Sequence, residues 1–450
     1  MSLRLILDAA QRGANYLESM DTRRVGPSPA DLANLAHLAG PLPTGPTDPA
    51  TVLADLDRHG SPATIANSSG RYFGFVNGGS LPAARAANVL AAAWDQNVAL
   101  RAMSPVSAFL EDLALEWSRE LLGLPAGSAG ALVTGATMAN LTGLAAARQH
   151  LLAAQGWNAQ TDGLFGAPPL SVIVSDESHI SVRKALALLG LGGNRVTRVP
   201  TDSHGRLRAD LLPPITGPTI VCLQAGNVNT GAFDPARALT EHPLRGQLWL
   251  HVDGAFGLWA AASPKTAHLM DGFSSCDSWC TDGQKWLNVP YDCGFAFVRH
   301  PEALFHSMNF DAAYLQQSAD REPMQWGPEM SRRARGIEVW AALRSLGRSG
   351  VADLIDRTCA HARRFADELR AAGADILNDV VINQVLVRFG SDELTRAVVA
   401  ALQADGTCWC GGTVWQGRAA MRISVSSWAT SDDDVDRSLA AMLRLWRQLA

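Results

Sequence analysis

A primary amine is the scarcest reactive group in this sequence. Among 38 lysines and arginines in 450 residues, only Lys184, Lys265 and Lys285 are lysine. Lys285 follows Gly283 and precedes Trp286 and Leu287 in DSWCTDGQKWLN, an apolar setting that suits an amine nucleophile. Lys184, in the helical SVRKALALL, and Lys265, in the polar loop ASPKTAH, read as solvated side chains. Three further signals stand just after short apolar runs. Asp253 follows Leu248–Val252 in WLHVDGAFG, where a buried carboxylate needs a cation or several hydrogen bonds. His179 follows Ser171–Val174 in SDESHIS. The small residues of TGATMAN, with the hydroxyl of Thr137, follow Ala131–Val133 and open a helix whose free N–H groups suit a phosphate. Each signal also has an ordinary use, as a cap or turn aspartate, a structural histidine, or a plain strand–helix turn.

Taken together, the four describe one ligand. It carries a phosphate for the helix start, a flat ring for His179 to stack on, a basic ring nitrogen for Asp253 and an aldehyde for Lys285. Those are the parts of pyridoxal phosphate. A carboxylate beside the ring nitrogen favours its protonated form, which makes the ring an electron sink.

The elements that must position these residues follow from periodicity. Ala83–Trp94, Pro105–Leu122, Ala139–Ala154 and Ser181–Leu189 have helical patterns. They accompany strand-like runs at Ala131–Val133, Ser171–Val174, Thr219–Leu223, Leu248–Val252 and Gly294–Val298. Strands alternating with helices predict an α/β fold, a mostly parallel central sheet with helices on both faces. Residues 1–80 read as an N-terminal arm with Pro/Gly-rich connections, residues 81–335 as the large α/β domain, and 336–450 as a small α+β domain. The last has helices at Ile337–Leu346 and Val351–Ala372, strand-like runs at Val380–Phe389 and Ala420–Val425, and a capped final helix.

The strings HVDGAFG, DGQKWLN, SDESHIS and TGATMANLTGL, with RYFGFVNGG, GNVNTGAFDP and MRISVSSWATS, carry a resemblance over nearly the whole chain. It is to the group II pyridoxal-phosphate-dependent amino acid decarboxylases, which include the aromatic amino acid, glutamate and histidine decarboxylases. The resemblance implies fold type I, the aspartate aminotransferase architecture, and a homodimer with active sites at the subunit interface. It also implies decarboxylation of an L-amino acid to its amine. Lys285 resembles the Schiff-base lysine, Asp253 the partner of the ring nitrogen and His179 the ring-stacking histidine. Ala136 and Thr137 match the phosphate-holding positions, Asn227 the loop beside the ring, and Ala255, Asp282 and Gln284 further cofactor positions. Tyr314 matches a mobile-loop tyrosine that protonates the carbanion, within a lid expected at residues 308–325. Arg422 matches an arginine that binds the substrate carboxylate, and Tyr72 and Phe73 line the substrate side, which hints at an aromatic substrate. One departure stands out. The family normally has histidine before the lysine, and Gln284 can donate a hydrogen bond but carry no charge. Weaker cofactor retention or a shifted pH profile is the expectation. A transaminase, aldolase-type lyase or aldehyde synthase on the same scaffold, or a non-catalytic relative, stays open at this point.

Composition narrows the rest. A net charge of −5 with scattered arginines argues against nucleic-acid binding, and no apolar run reaches the length of a membrane span. Seven cysteines read as buried thiols in a reducing compartment, so the cytoplasm is expected. Cys276-x3-Cys280 and Cys408-x-Cys410 lack zinc-site spacing, and no metal is expected. SRRARG (331–336) reads as a solvated helix start with carboxylate partners, or as an interface.

Overall fold

Short apolar runs bounded by turns suit strands better than buried helices, and in the structure the five runs of the large α/β domain are strands, as is most of Ala420–Val425, whereas Val380–Phe389 shortens to Gln384–Arg388. This computed structural model describes residues 2–310 and 320–450. They fall into two compact units, one of residues 80–360 with 378–384, the other of residues 2–79, 361–377 and 385–450.

The first unit is built on seven strands: β1 (Ala129–Val133), β2 (Ser171–Ser175), β3 (Thr197–Val199), β4 (Thr219–Gln224), β5 (Leu248–Asp253), β6 (Ser278–Asp282) and β7 (Gly294–Val298). Their order in the sheet is β1-β7-β6-β5-β4-β2-β3. From β6 to β3 all neighbours are parallel, whereas β7 runs antiparallel to both β1 and β6. Every position of β4 and β5 is buried, as expected where helices cover both faces of a parallel sheet. The register sets Gln224 beside Asp253 and Asp253 beside Cys280, so β4 and β5 finish together and β6 runs two residues further, to Asp282. The helix Ala136–Ala153 packs across β5, β6 and β7.

Two strands, β3 and β6, have no apolar run to announce them. The sequence of β6, SWCTD, is fully buried yet half polar. Ser278, Cys280 and Asp282 share one face at the two-residue strand period, and that face carries hydrogen bonds. The two helices expected after Ser331 form one stretch, Gly336–Ala371, broken at Gly347, whose φ of 61° and ψ of −178° are not helical.

The second unit centres on a sheet ordered β10-β11-β9-β8, from β8 (Asp375–Ile376), β9 (Gln384–Arg388), β10 (Gly411–Trp415) and β11 (Arg418–Ser424). β10 and β11 form an antiparallel hairpin that pairs Gly411 with Arg422. The N-terminal segment is tied into this unit by its own main chain. Arg71, 2% exposed, donates to the carbonyls of Met20, Asp21, Arg23 and Thr407, and Phe73 N–H donates to Trp409 O at 2.9 Å. The final helix, Asp432–Leu449, opens on a capping box between Ser431 and Asp434, a feature worth about 1 kcal/mol. Among the described residues no helix is long and apolar enough to cross a membrane.

Candidate active site

Five strand ends bring the marked residues to one edge of the sheet, the carboxyl edge where open α/β sheets bind ligands. Ala136 and Thr137 follow β1, His179 follows β2, and Asn227 follows β4. Asp253 ends β5 with Ala255 just beyond, and Asp282 ends β6 ahead of Gln284 and Lys285.

Lys285 Nζ lies 3.1 Å from Asp282 Oδ2, with the lysine side chain 20% exposed and the aspartate 3%. The other oxygen of Asp282 accepts the Ala136 N–H at 2.6 Å, so one carboxylate joins the amine to the start of the helix. Burial pushes the Asp282 carboxyl up, and the Lys285 ammonium works against that shift. The N–H of Ala136, expected at a phosphate, is therefore held by Asp282, and half-buried Thr137 is the next residue of that turn. Gln284 Oε1 accepts the Cys293 N–H at 2.7 Å. Its Nε2 faces Gly135 and would stand 3.2 Å from a Cβ placed there. The close approach needs glycine twice: a Cβ at Gly294 would meet the main-chain carbon of Gly135 at 2.5 Å.

Asp253 is 5% exposed and well supplied with donors. Asn140 Nδ2 reaches its Oδ2 at 3.3 Å, and its Oδ1 takes Ala255 N–H at 3.3 Å and Cys280 Sγ at 3.4 Å. His179 caps the helix Ile180–Leu188, its Nδ1 2.7 Å from Ser181 Oγ. Asn227 is 1% exposed, and its Oδ1 accepts the N–H groups of Asn229 at 2.9 Å and Thr230 at 3.2 Å. Its Nδ2 is buried and has no hydrogen-bond partner among the described residues. That orphaned donor, beside an amine and a buried carboxylate on adjoining strand ends, fits a flat polar ligand such as pyridoxal phosphate.

The residues matched to the substrate side belong to the second unit. Tyr72 stacks on Trp409 with ring centres 5.3 Å apart. Burial pushes its hydroxyl up to about 12, with the Arg422 cation opposing, and burial also lowers the Arg422 guanidinium. Phe73 is fully buried and meets Phe365 edge-on at 5.0 Å. Tyr314 lies outside the described residues, as does the rest of 311–319 within the expected lid. Among the described residues no group of three or more His, Cys, Asp or Glu could hold a metal ion.

Four residues of this region carry no prior mark: Asn140, Ser181, His251 and Cys280. The usable signal is periodicity. Trp249, His251 and Asp253 alternate along β5, and Asn140 lies one turn into the helix that TGATMAN opens.

Such an amine, carboxylate and helix start on a mostly parallel sheet define a fold-type-I pyridoxal phosphate enzyme. The family described as "Pyridoxal-dependent decarboxylase conserved domain" matches residues 38–389, and the chain belongs to it. It is an amino acid decarboxylase that works with pyridoxal phosphate. It is 28% identical to Tryptophan decarboxylase 1 of Oryza sativa subsp. japonica, over 92% of this chain and 87% of that protein. It is 27% identical to L-2,4-diaminobutyrate decarboxylase of Acinetobacter baumannii, over 78% and 73% respectively. The crystal structure of Oryza sativa TDC with PLP and tryptamine shares the fold, with a TM-score of 0.90 over 99% of this chain and 98% of that one at 23% identity.

Proposed function

We propose that this chain converts an aromatic L-amino acid to its amine and CO2, with Lys285 as the residue that binds the cofactor aldehyde. The observation that carries the reading is the Lys285 amine held 3.1 Å from Asp282, on the strand next to the one that ends in Asp253. When bound, pyridoxal phosphate supplies the sink for the electron pair that the departing carboxyl group leaves behind. The residues of the chain do the rest. Asp253, whose oxygens take Asn140 Nδ2 and the Ala255 N–H, would face the ring nitrogen. His179 would lie against the ring, Asn227 Nδ2 would donate beside it, and Ala136, Thr137 and Gln284 would hold the phosphate. Asp282 would hold the Lys285 amine in place for the cofactor aldehyde. Arg422 is assigned the substrate carboxylate and Tyr314 the delivery of a proton to Cα.

The aromatic substrate is supported by the likeness to a tryptophan decarboxylase and by the Tyr72–Trp409 stack. A CO2-release screen over amino acids with added cofactor tests it. Turnover of tryptophan, tyrosine or phenylalanine above that of 2,4-diaminobutyrate is expected, and the reverse ranking would overturn it. Tyr314→Phe is expected to divert product from amine to aldehyde.

A homodimer is part of the same reading. The exposed Leu3, Ile6 and Leu7 on the helix Ser2–Glu18 support it as an apolar face for a second copy, and light scattering at micromolar concentration tests it. Seven buried free cysteines support a reducing compartment and thus the cytoplasm.

A further inference from the structure

The hydrogen bonds behind Asp253 run in one direction. We propose that Asn140 is a positioning residue whose single amide sets both Asp253 and His179 for the cofactor ring. The proposal rests on the pyridoxal phosphate reading above.

The direction is fixed by the two ends of the chain of bonds. Trp249 Nε1 can only donate, and it does so to Ser278 Oγ at 2.8 Å. An ionised Asp253 can only accept. Between them, Ser278 Oγ lies 2.8 Å from His251 Nδ1, His251 Nε2 lies 2.8 Å from Asn140 Oδ1, and Asn140 Nδ2 lies 3.3 Å from Asp253 Oδ2. Asn140 must turn its NH2 group toward the carboxylate, so its oxygen faces His251. His251 then carries its proton on Nε2, and its Nδ1 accepts the Ser278 hydroxyl proton. Burial keeps this imidazole neutral, pushed down to about 4.

A second branch leaves the same amide. Ser181 main-chain N–H donates to His179 Nδ1 at 3.3 Å, which makes that nitrogen an acceptor. The Ser181 hydroxyl therefore donates to it as well, at 2.7 Å. Its oxygen accepts from Asn140 Nδ2 at 3.2 Å. One NH2 group thus serves the carboxylate assigned to the ring nitrogen and, through one hydroxyl, the imidazole assigned to the ring face.

The fold makes room for the arrangement. A Cβ at Gly143, one turn along the helix from Asn140, would stand 2.9 Å from His251 Cε1 and 3.3 Å from Ser278 Cβ. Cys280 Sγ lies 2.9 Å from Asn140 Oδ1 and 3.4 Å from Asp253 Oδ1, so its single proton, kept on by burial and by Asp253, has these two acceptors to choose between. The titratable groups whose charges act with Asp253 are Cys222 on β4, His251 on β5, and Cys280 and Asp282 on β6, the last paired with Lys285. None of the other three bonds to Asp253 as Asn140 and Cys280 do. The Asn140 amide is therefore the side-chain donor that fixes the orientation of the Asp253 carboxylate.

The test uses the full-length enzyme reconstituted with pyridoxal phosphate. Its readouts are the pH titration of the visible absorbance band of lysine-bound cofactor, the cofactor Kd from tryptophan fluorescence of the apoenzyme, and kcat and KM separately. Asn140→Ala is expected to move the midpoint of the pH titration and to weaken cofactor binding by roughly tenfold or more, the scale of one hydrogen bond to a charged group. It should lower kcat more than it changes KM. His251→Leu should move the same readouts in the same direction, and His251→Gln, which can still donate to Asn140 Oδ1, should restore them. Asn140→Asp has the same size and keeps the question testable if the alanine variant does not fold; it too should lose the wild-type titration. An Asn140→Ala or Asn140→Asp enzyme with wild-type midpoint and Kd would overturn the proposal, as would His251→Gln behaving like His251→Leu. A wild-type protein that develops no such band would instead remove the cofactor reading beneath it.

Discussion

Two ion pairs lie buried in the same unit, Lys285 with Asp282 and Arg332 with Glu111, and they are built in opposite ways. Arg332 grips Glu111 with two bonds of 2.6 and 2.8 Å, and the side chains are 3% and 0% exposed. Lys285 makes one contact of 3.1 Å and keeps a fifth of its side chain exposed. A guanidinium is planar, always charged and matched to a carboxylate by its fork. It suits a pair that never opens. An amine is a point charge on a flexible stem that can lose its proton and form a covalent bond, which suits the covalent role proposed for Lys285. The contrast also corrects the expectation for SRRARG. Arg332 and Arg335 are buried, not solvated, each paired with carboxylates, Arg335 with Asp292 at 2.8 Å.

The largest expected break in this comparison is Lys285→Arg. The variant keeps a cation opposite Asp282, so the melting temperature of the apoenzyme should move little. CO2 release should fall to background, because a guanidinium does not bond to the aldehyde. Next comes Glu111→Ala, which leaves Arg332 buried without its carboxylate. It should cost about 3–5 kcal/mol in urea unfolding while kcat per folded molecule holds. Replacing both Glu111 and Arg332 by leucine should recover much of that loss.

A smaller effect concerns acid stability. Folded His251 stays neutral down to about 4, whereas the unfolded chain takes up that proton near 6.5. The unfolded state binds more protons between these values, so this contribution is complete above pH 6.5 and is lost as pH falls toward 4. His251→Gln should flatten the decline of melting temperature over that window. The smallest effect belongs to Gln284→His, which puts a cation-forming ring where the amide faces Gly135. Cofactor retention on dialysis should rise severalfold, and unchanged affinity and pH profile would separate Gln284 from the phosphate.

Much of the sheet was legible because parallel strands buried on both faces are continuous apolar runs, as in β4 and β5. The placement of Lys285, Asp253 and His179 at strand ends was legible because each stands as a polar residue just beyond a short strand or apolar run. β6 was not, since its polar face hides the strand pattern. The Asn140–His251 relay was not legible for a related reason. An asparagine on a helix and a histidine on a strand look ordinary until packing joins residues 111 positions apart. The carboxylate partners expected for SRRARG are present, but the burial of Arg332 and Arg335 was not legible, because local sequence names no distant partner and Glu111 lies 221 positions away.

The antiparallel run of β7 has a consequence for how Lys285 is mounted. A parallel return would need a helical crossover of a dozen or more residues. Here residues 283–293 leave β6 and re-enter the neighbouring strand at the same end of the sheet. Gly283 N–H closes the base of this excursion on Cys293 O at 2.9 Å, and Trp286 Nε1 pins the residue after the lysine to Thr358 Oγ1 at 2.9 Å. Lys285 therefore rides on a short span clamped at both feet, with only its side chain reaching out to Asp282. In engineering terms this is the stretch least tolerant of a change in length: one inserted residue would shift the amine off its target well before the sheet noticed.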